Sequence, residues 1–218
     1  MEQVLSRAAA SEAVGGQGWR YILGTLRASV PVTSMVEAAG VAARAVAACG
    51  DDADGHLRLD LRPDRVVLTL QSSALAAATS RDAALANLIS AAGVRTAPYH
   101  VQLLEIAVDA LDIAAIRPFW KAVLAYEDEP GADGPRDPIV DPERQAPAVW
   151  FQQMTEPRPQ RNRIHFDISV PHDEAPARIA AALAAGGRLV SDTRAPAFWI
   201  LADAEGNEAC ITTWQGRD

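Results

Sequence analysis

The sequence predicts an α+β protein in two parts, an N-terminal α-β-β-α-β-β-α unit on an antiparallel sheet followed by paired β-α-β-β-β modules. Three observations carry this. Apolar residues switch repeatedly between strand-like alternation and helical spacing, with turn residues between the strands. A short polar stretch with a proline, Gly93-Val-Arg-Thr-Ala-Pro-Tyr-His100, divides the 218 residues near their middle. The second half then repeats its own order of elements. The domains expected are 1–93 and 101–218, joined by a linker at 94–100.

Taken in order, residues 1–14 carry helix formers and stop at Gly15-Gly16-Gln-Gly18. Trp19 to Val30 is rich in aromatic and branched residues and broken by Gly24, so it reads as strand, turn or bulge, strand, closed by Pro31. Thr33 or Ser34 can cap a helix running through Ala48, with Met35, Ala38, Ala39, Ala42 and Val46 as its apolar stripe. Leu57–Leu61 and Val66–Leu70 alternate around Arg62-Pro-Asp-Arg65, a hairpin signal. Thr79-Ser-Arg-Asp82 opens a second helix to about Ala92, with Leu85, Leu88 and Ile89 inward.

This order resembles the pterin-4a-carbinolamine dehydratase family. So do Gly18-Trp19 at the first strand, Asp54-Gly-His-Leu57 after the long helix, Arg65-Val-Val-Leu-Thr-Leu70 and Thr79-Ser-Arg-Asp82. The resemblance places the family's His-His-Pro signature on Gly55, His56 and Leu57, and its later histidine on Ser73. One of three histidines survives. Dehydration at a carbinolamine needs groups that exchange protons near neutral pH, which imidazole does and glycine does not. His56 is therefore a candidate catalytic residue in a degenerate site, against the alternative of a loop histidine left from an ancestor. Asp82 matches the family as a candidate ligand-binding residue, or is a favourable charge at a helix N-terminus.

In the second half, Leu104, Ile106 and Val108 alternate with Leu103, Glu105 and Ala107, and Asp109-Ala-Leu-Asp112 leads into a helix carrying Ile116, Phe119, Trp120, Val123 and Leu124. Glu127–Pro147 is rich in Pro, Gly and charge and yields only short strands and loops. Ala148–Met154 reads as a strand. The stretch Arg161-Asn-Arg-Ile-His-Phe-Asp-Ile-Ser-Val170 alternates strictly from Arg163 onward: Ile164, Phe166, Ile168 and Val170 share one face, while Arg163, His165, Asp167 and Ser169 share the other. A helix at Asp173–Ala185 follows, stopped by Gly186-Gly187, then strands at Arg188–Ser191, Phe198–Ala202 and Ala209–Thr213. Leu103–Val108 thus answers His165–Val170, and 148–154 answers 209–213.

This duplication, with Phe119-Trp120, Asn162-Arg-Ile-His165-Phe-Asp167 and Asp203-Ala-Glu-Gly-Asn-Glu-Ala-Cys210, resembles the glyoxalase-like branch of the vicinal oxygen chelate superfamily over about 101–214. The resemblance implies the glyoxalase/bleomycin resistance-like fold and a cup between modules. Its metal-holding members take ligands from the first and last strands of each module. His165 stands at one such place, but the expected glutamate falls on Cys210 and the first-module counterpart of His165 is Leu103. With Gln152 the one plausible further ligand, a divalent metal at His165 is disfavoured, and no cofactor is expected.

His165, Asp167 and Glu105 are the candidate catalytic residues of an enclosed cup, because paired carboxylates in a cavity make one a proton donor. Arg161 or Arg163 neutralising a carboxylate is the competing reading. Trp150, Gln152 and Cys210 are candidate ligand-binding residues, Trp150 as an aromatic wall or as core.

The net charge of −8 and the lack of a dense Lys/Arg cluster argue against nucleic acid or anionic lipid as partners. No apolar run is long enough for a bilayer and the start has no leader pattern, so a cytoplasmic protein is expected. Cys49 and Cys210 read as free thiols. The partner expected is a small organic ligand, pterin-like under the dehydratase reading, and self-association as a dimer or higher is expected from uncovered sheet edges and faces. Three functions fit: a glyoxalase-like lyase or isomerase, a pterin carbinolamine dehydratase with an altered site, or a non-catalytic sequestering or sensing module.

Overall fold

The computed structural model describes residues 2–97, 103–132, 134–157, 165–213 and 215–216. They divide into two compact units, the break falling between Leu103 and Leu104.

The first unit holds helix α1 (Arg7–Val14), strands β1 (Arg20–Ile22) and β2 (Thr25–Pro31), helix α2 (Met35–Cys49), strands β3 (Leu57–Leu61) and β4 (Arg65–Leu70), and helix α3 (Ser80–Ala91). Its sheet runs β1-β2-β4-β3 with every neighbour antiparallel. Each helix starts at a hydroxyl cap: Ser6, Ser34 and Thr79 accept from Ala9 N, Glu37 N and Asp82 N. This satisfies backbone donors that the first turn leaves without a partner. Trp19, Leu26, Leu68, Leu70, Leu85 and Ile89 are the large fully buried side chains of the core.

The apolar stripe of α2 differs from the one expected. Ala38, Val41, Ala45 and Cys49 are buried, whereas Met35, Ala39 and Val46 are exposed. Alanine-rich helices are apolar on several sides, so periodicity cannot choose among them. On α3, Leu85 and Ile89 face inward as expected, but Leu88 is exposed and Ala86 takes the inner position. The expected linker also starts later than position 94. Val94 is buried in this core, and Ala97 N donates to Ser29 O at 2.7 Å, so 94–97 dock on the first unit.

The second unit is a structural repeat. Its first module contains β5 (Glu105–Ala110), α4 (Ile113–Leu124), β6 (Glu127–Asp128), β7 (Ile139–Val140) and β8 (Ala148–Gln153). The second contains β9 (Phe166–Ser169), α5 (Ala175–Ala184), β10 (Arg188–Arg194), β11 (Phe198–Ala202) and β12 (Glu208–Thr212). The sheets run β5-β8-β7-β6 and β9-β12-β11-β10, and in each the first and last strands pair in parallel. Period-two alternation sends Val108, Ala110, Val149, Phe151, Ala209 and Ile211 into one shared core beneath α4 and α5.

Trp120 is the centre of that core. Its ring meets Phe119 and Phe166 edge-to-face with centroids 5.5 Å apart in both cases. Its indole Nε1 donates to Asp203 Oδ2 at 3.0 Å. Asp203 is fully buried and also accepts from Glu205 N, Asn207 N and Asn207 Nδ2. The turn it organises needs a left-handed residue, which Gly206 supplies at φ 92°. From the same turn, the Glu205 carboxylate accepts from Leu111 N and Asp112 N ahead of α4. The Asp-Ala-Glu-Gly-Asn motif is therefore a clasp between modules.

Candidate active site

The second module places its chemistry on the sheet face away from the helices. His165 immediately precedes β9, and alternation keeps it on the face of Asp167 while Phe166 and Ile168 turn to the core. Parallel pairing sets Cys210 of β12 directly beside Asp167 of β9. His165 Nδ1 lies 3.7 Å from Cys210 Sγ and 3.4 Å from Asp167 Oδ1. These three side chains line a cavity of about 610 Å³, together with Arg194, Phe198, Ile200, Glu208 and Thr212.

Two expectations about this site change. The cup is open, since the His165 and Asp167 side chains are 53% and 62% exposed. Glu105, Trp150 and Gln152 are absent from the lining of this cavity. The reason lies in the pairing: each module joins its own first and last strands, so Asp167 has Cys210 as neighbour and Glu105 has Ala148. Glu105 does keep the face opposite the core, as its exposure beside buried Val108 shows, and Trp150 and Gln152 alternate with core residues Val149 and Phe151 on β8. In this first module, Leu103, Glu105 and Ala148 stand where the second has His165, Asp167 and Cys210. Arg161 and Arg163, the expected neutralising partners, lie outside the described residues.

Arg194, absent from the candidates named on sequence, brings a cation to the cavity rim. Strand-like alternation points to an end at Ser191, three residues short of where β10 stops. His165, Asp167 and Cys210 offer one nitrogen, one oxygen and one sulfur within 4.8 Å of one another, a donor set that suits a divalent ion.

In the first unit, His56 Nδ1 sits 2.9 Å from Asp82 Oδ1. The other oxygen of Asp82 accepts from Thr79 N and Thr79 Oγ1 at 2.7 Å each, completing a capping box with the Thr79 side chain. Asp82 is fully buried, so it orients His56 and caps α3 rather than meeting a ligand, which corrects its expected role. Glu2 Oε1 lies 3.8 Å from His56 Nε2. Ser73 N donates to Gly55 O at 2.8 Å, which gathers the positions of the two missing histidines beside the surviving one.

The two thiols differ. Cys49 is buried and its pKa is raised, first by burial and then by the charge of Asp52, which marks it as inert. Cys210 opens on the cavity. A second concavity of about 830 Å³ flanks α4, but its charges satisfy one another: Asp128 is held by Lys121 and Arg117 at 2.7 and 2.6 Å, which keeps its carboxyl below the usual range.

The glyoxalase-like domain family model matches residues 105–212. No curated protein matches the chain. Among solved structures, the fosfomycin resistance protein FosX of Mesorhizobium loti is 11% identical, with a TM-score of 0.42 over 53% of this chain and 93% of that one. A glyoxalase/bleomycin resistance protein/dioxygenase family enzyme of Burkholderia phytofirmans PsJN is 14% identical, with a TM-score of 0.39 over 52% and 98%. A transcriptional coactivator/pterin dehydratase of Brucella melitensis is 22% identical, with a TM-score of 0.36 over 41% and 97%. Residues 105–212 form a glyoxalase-like domain.

Proposed function

We infer that the second module's cavity binds a small organic ligand and that the glyoxalase-like domain carries out lyase or isomerase chemistry there, while the N-terminal unit is a degenerate dehydratase. The observation that supports this most is the gathering of imidazole, carboxylate and thiol on one wall of a 610 Å³ cavity, a size suited to small ligands. Phe198 and Ile200 add apolar surface, and Arg194 adds a donor fork for a carboxylate, phosphate or phosphonate group. A small anionic ligand fits this combination.

A thermal-shift screen of small carboxylates and phosphonates tests the reading. Stabilising compounds are expected to lose their effect in Arg194→Ala and in His165→Ala. Hits indifferent to both substitutions would place binding elsewhere. The companion expectation is little or no turnover of a pterin carbinolamine. Gly55 and Ser73 cannot exchange protons as imidazoles do, and His56 has one nitrogen committed to Asp82. Turnover comparable to an enzyme with all three histidines, abolished by His56→Ala, would reverse the assignment in favour of a dehydratase with an altered site.

Self-association belongs to the same reading. Met35, Val36 and Val46 expose an apolar strip on α2, Val36 at 84%, and a second copy of the chain would cover it. Sedimentation is expected to show a dimer or larger species, and a monomer at micromolar concentration would remove the idea.

A further inference from the structure

We propose that Arg20, Arg27 and Thr69 form a site for a phosphate-class oxyanion on the first unit's sheet, on the face away from its three helices. The face follows from alternation: Tyr21, Leu26, Ala28, Leu59, Leu68 and Leu70 pack into the core, which turns Arg20, Arg27, Arg58 and Thr69 the other way. Cross-strand pairing sets these four in one row, Arg20 opposite Arg27, Arg27 opposite Thr69, and Thr69 opposite Arg58. Three cations thus meet from three strands, so no Lys/Arg cluster shows along the chain. Directly opposite residues hold their β-carbons about 4.5–5.5 Å apart, and like charges there work against the pairing. An anion held between Arg20 and Arg27 turns that repulsion into attraction.

Arg27 carries a second, independent observation. It is half-buried, and its Nε–H is hidden from water with no acceptor among the described residues. A guanidinium N–H in that state is costly, the more so for carrying charge. Arg20 is exposed and donates to the Trp19 carbonyl rather than to a carboxylate. The hydroxyl of Thr69, a residue 5% exposed, stands beside Arg27 as a further donor. Arg58 is tied to Gln71, whose amide reaches the Gly24 carbonyl, so it adds charge at the far end of the row rather than a free fork. Asp60, an acid on the same face, lies in the next row across Val67 and is held by Arg62 at 2.8 Å. Two planar forks and a hydroxyl suit the oxygens of a tetrahedral dianion. The chain's net charge of −8 repels a long polyanion, so the ligand is inorganic phosphate or the phosphoryl group of a small molecule.

The test uses the full chain in an Arg194→Ala background, so that the second unit's cavity adds no phosphate site of its own. The probes are sodium phosphate, phenyl phosphate, and sodium chloride at equal ionic strength. The NMR signal of the Arg27 Nε–H is expected to shift saturably with phosphate and to stay in place with chloride, which screens charge without seating at the site. Arg27→Gln and Arg20→Gln are each expected to weaken phosphate binding by at least ~10-fold, the worth of one hydrogen bond to a charged group. Because Arg20 is exposed, its variant decides the matter if Arg27→Gln fails to fold. Arg81→Gln removes an arginine that pairs with Asp52 outside the row, and it leaves the affinity unchanged. Tighter binding of phenyl phosphate with the same arginine dependence assigns the site to a phosphorylated organic ligand, and equal or weaker binding assigns it to phosphate itself. No saturable shift, or phosphate binding indifferent to both substitutions, overturns the proposal. A short oligonucleotide that binds through Arg27 while phosphate does not also overturns it, in favour of a nucleic-acid surface. With Arg194 replaced throughout, none of these outcomes bears on the ligand reading of the second unit.

Discussion

Asp203→Ala is expected to destabilise the second unit by about 3–5 kcal/mol, because it strands several donors at once. Asp203 Oδ1 accepts from the backbone of Glu205 and Asn207, while Oδ2 accepts from Trp120 Nε1 and Asn207 Nδ2. Trp120 is almost fully buried, so its N–H has no route to water once the carboxylate is gone. The clasp to Leu111 and Asp112 through Glu205 loosens with the turn. The melting temperature should fall by roughly 10–20 °C. Asp203→Asn should lie between the parent and the alanine variant, since its amide keeps one acceptor oxygen and turns a nitrogen toward donors at the other position. An Asp203→Ala protein whose stability stays within about 1 kcal/mol of the parent would show the turn to be held by other contacts.

Gly187→Ala is expected to cost about 3 kcal/mol, at the upper end of what overpacking does. A β-carbon at Gly187 would lie 2.3 and 2.5 Å from two ring carbons of Phe119 and 2.8 Å from the Ala182 carbonyl oxygen. None of these can give way cheaply: Phe119 is fully buried against Trp120, and the carbonyl accepts from Gly187 N at the end of α5. Phe119→Leu in the same chain should recover part of the loss, whereas two independent effects would simply add. Chemical denaturation of the four proteins gives the coupling. Additive losses would mean that the clash is relieved by backbone movement rather than borne by the ring.

The order of elements and the duplication are legible in the sequence, because alternation and glycine stops are local signals. The choice of His165 and Asp167 as site residues draws on the same parity and that of Cys210 on the resemblance to the glyoxalase-like family, and the structure brings those three together. Parity names the face of a strand but not the cavity that the face joins, so it groups Glu105, Trp150 and Gln152 with a lining they do not share. The apolar face of α2 is out of reach for a different reason, since alanines on every side leave the choice to the sheet beneath. Arg194 depends on the length of β10, whose bulged pairing with β11 breaks simple alternation. Asp82 looks like a helix-end charge or a ligand contact in local sequence, because neither its partner His56 nor its bonds to Thr79 leave a mark there.

The parallel pairing of β9 with β12 also governs when the site comes into being. His165 and Cys210 stand 45 residues apart, and α5, β10 and β11 lie in the loop that their meeting closes. Closing such a loop costs chain entropy before its contacts repay it, so nonlocal strand pairs form late. A nascent or partly unfolded second module therefore carries the imidazole and the thiol on separate segments. Anything that binds both will act as a folding ligand, raising the apparent stability with the logarithm of its free concentration above its dissociation constant.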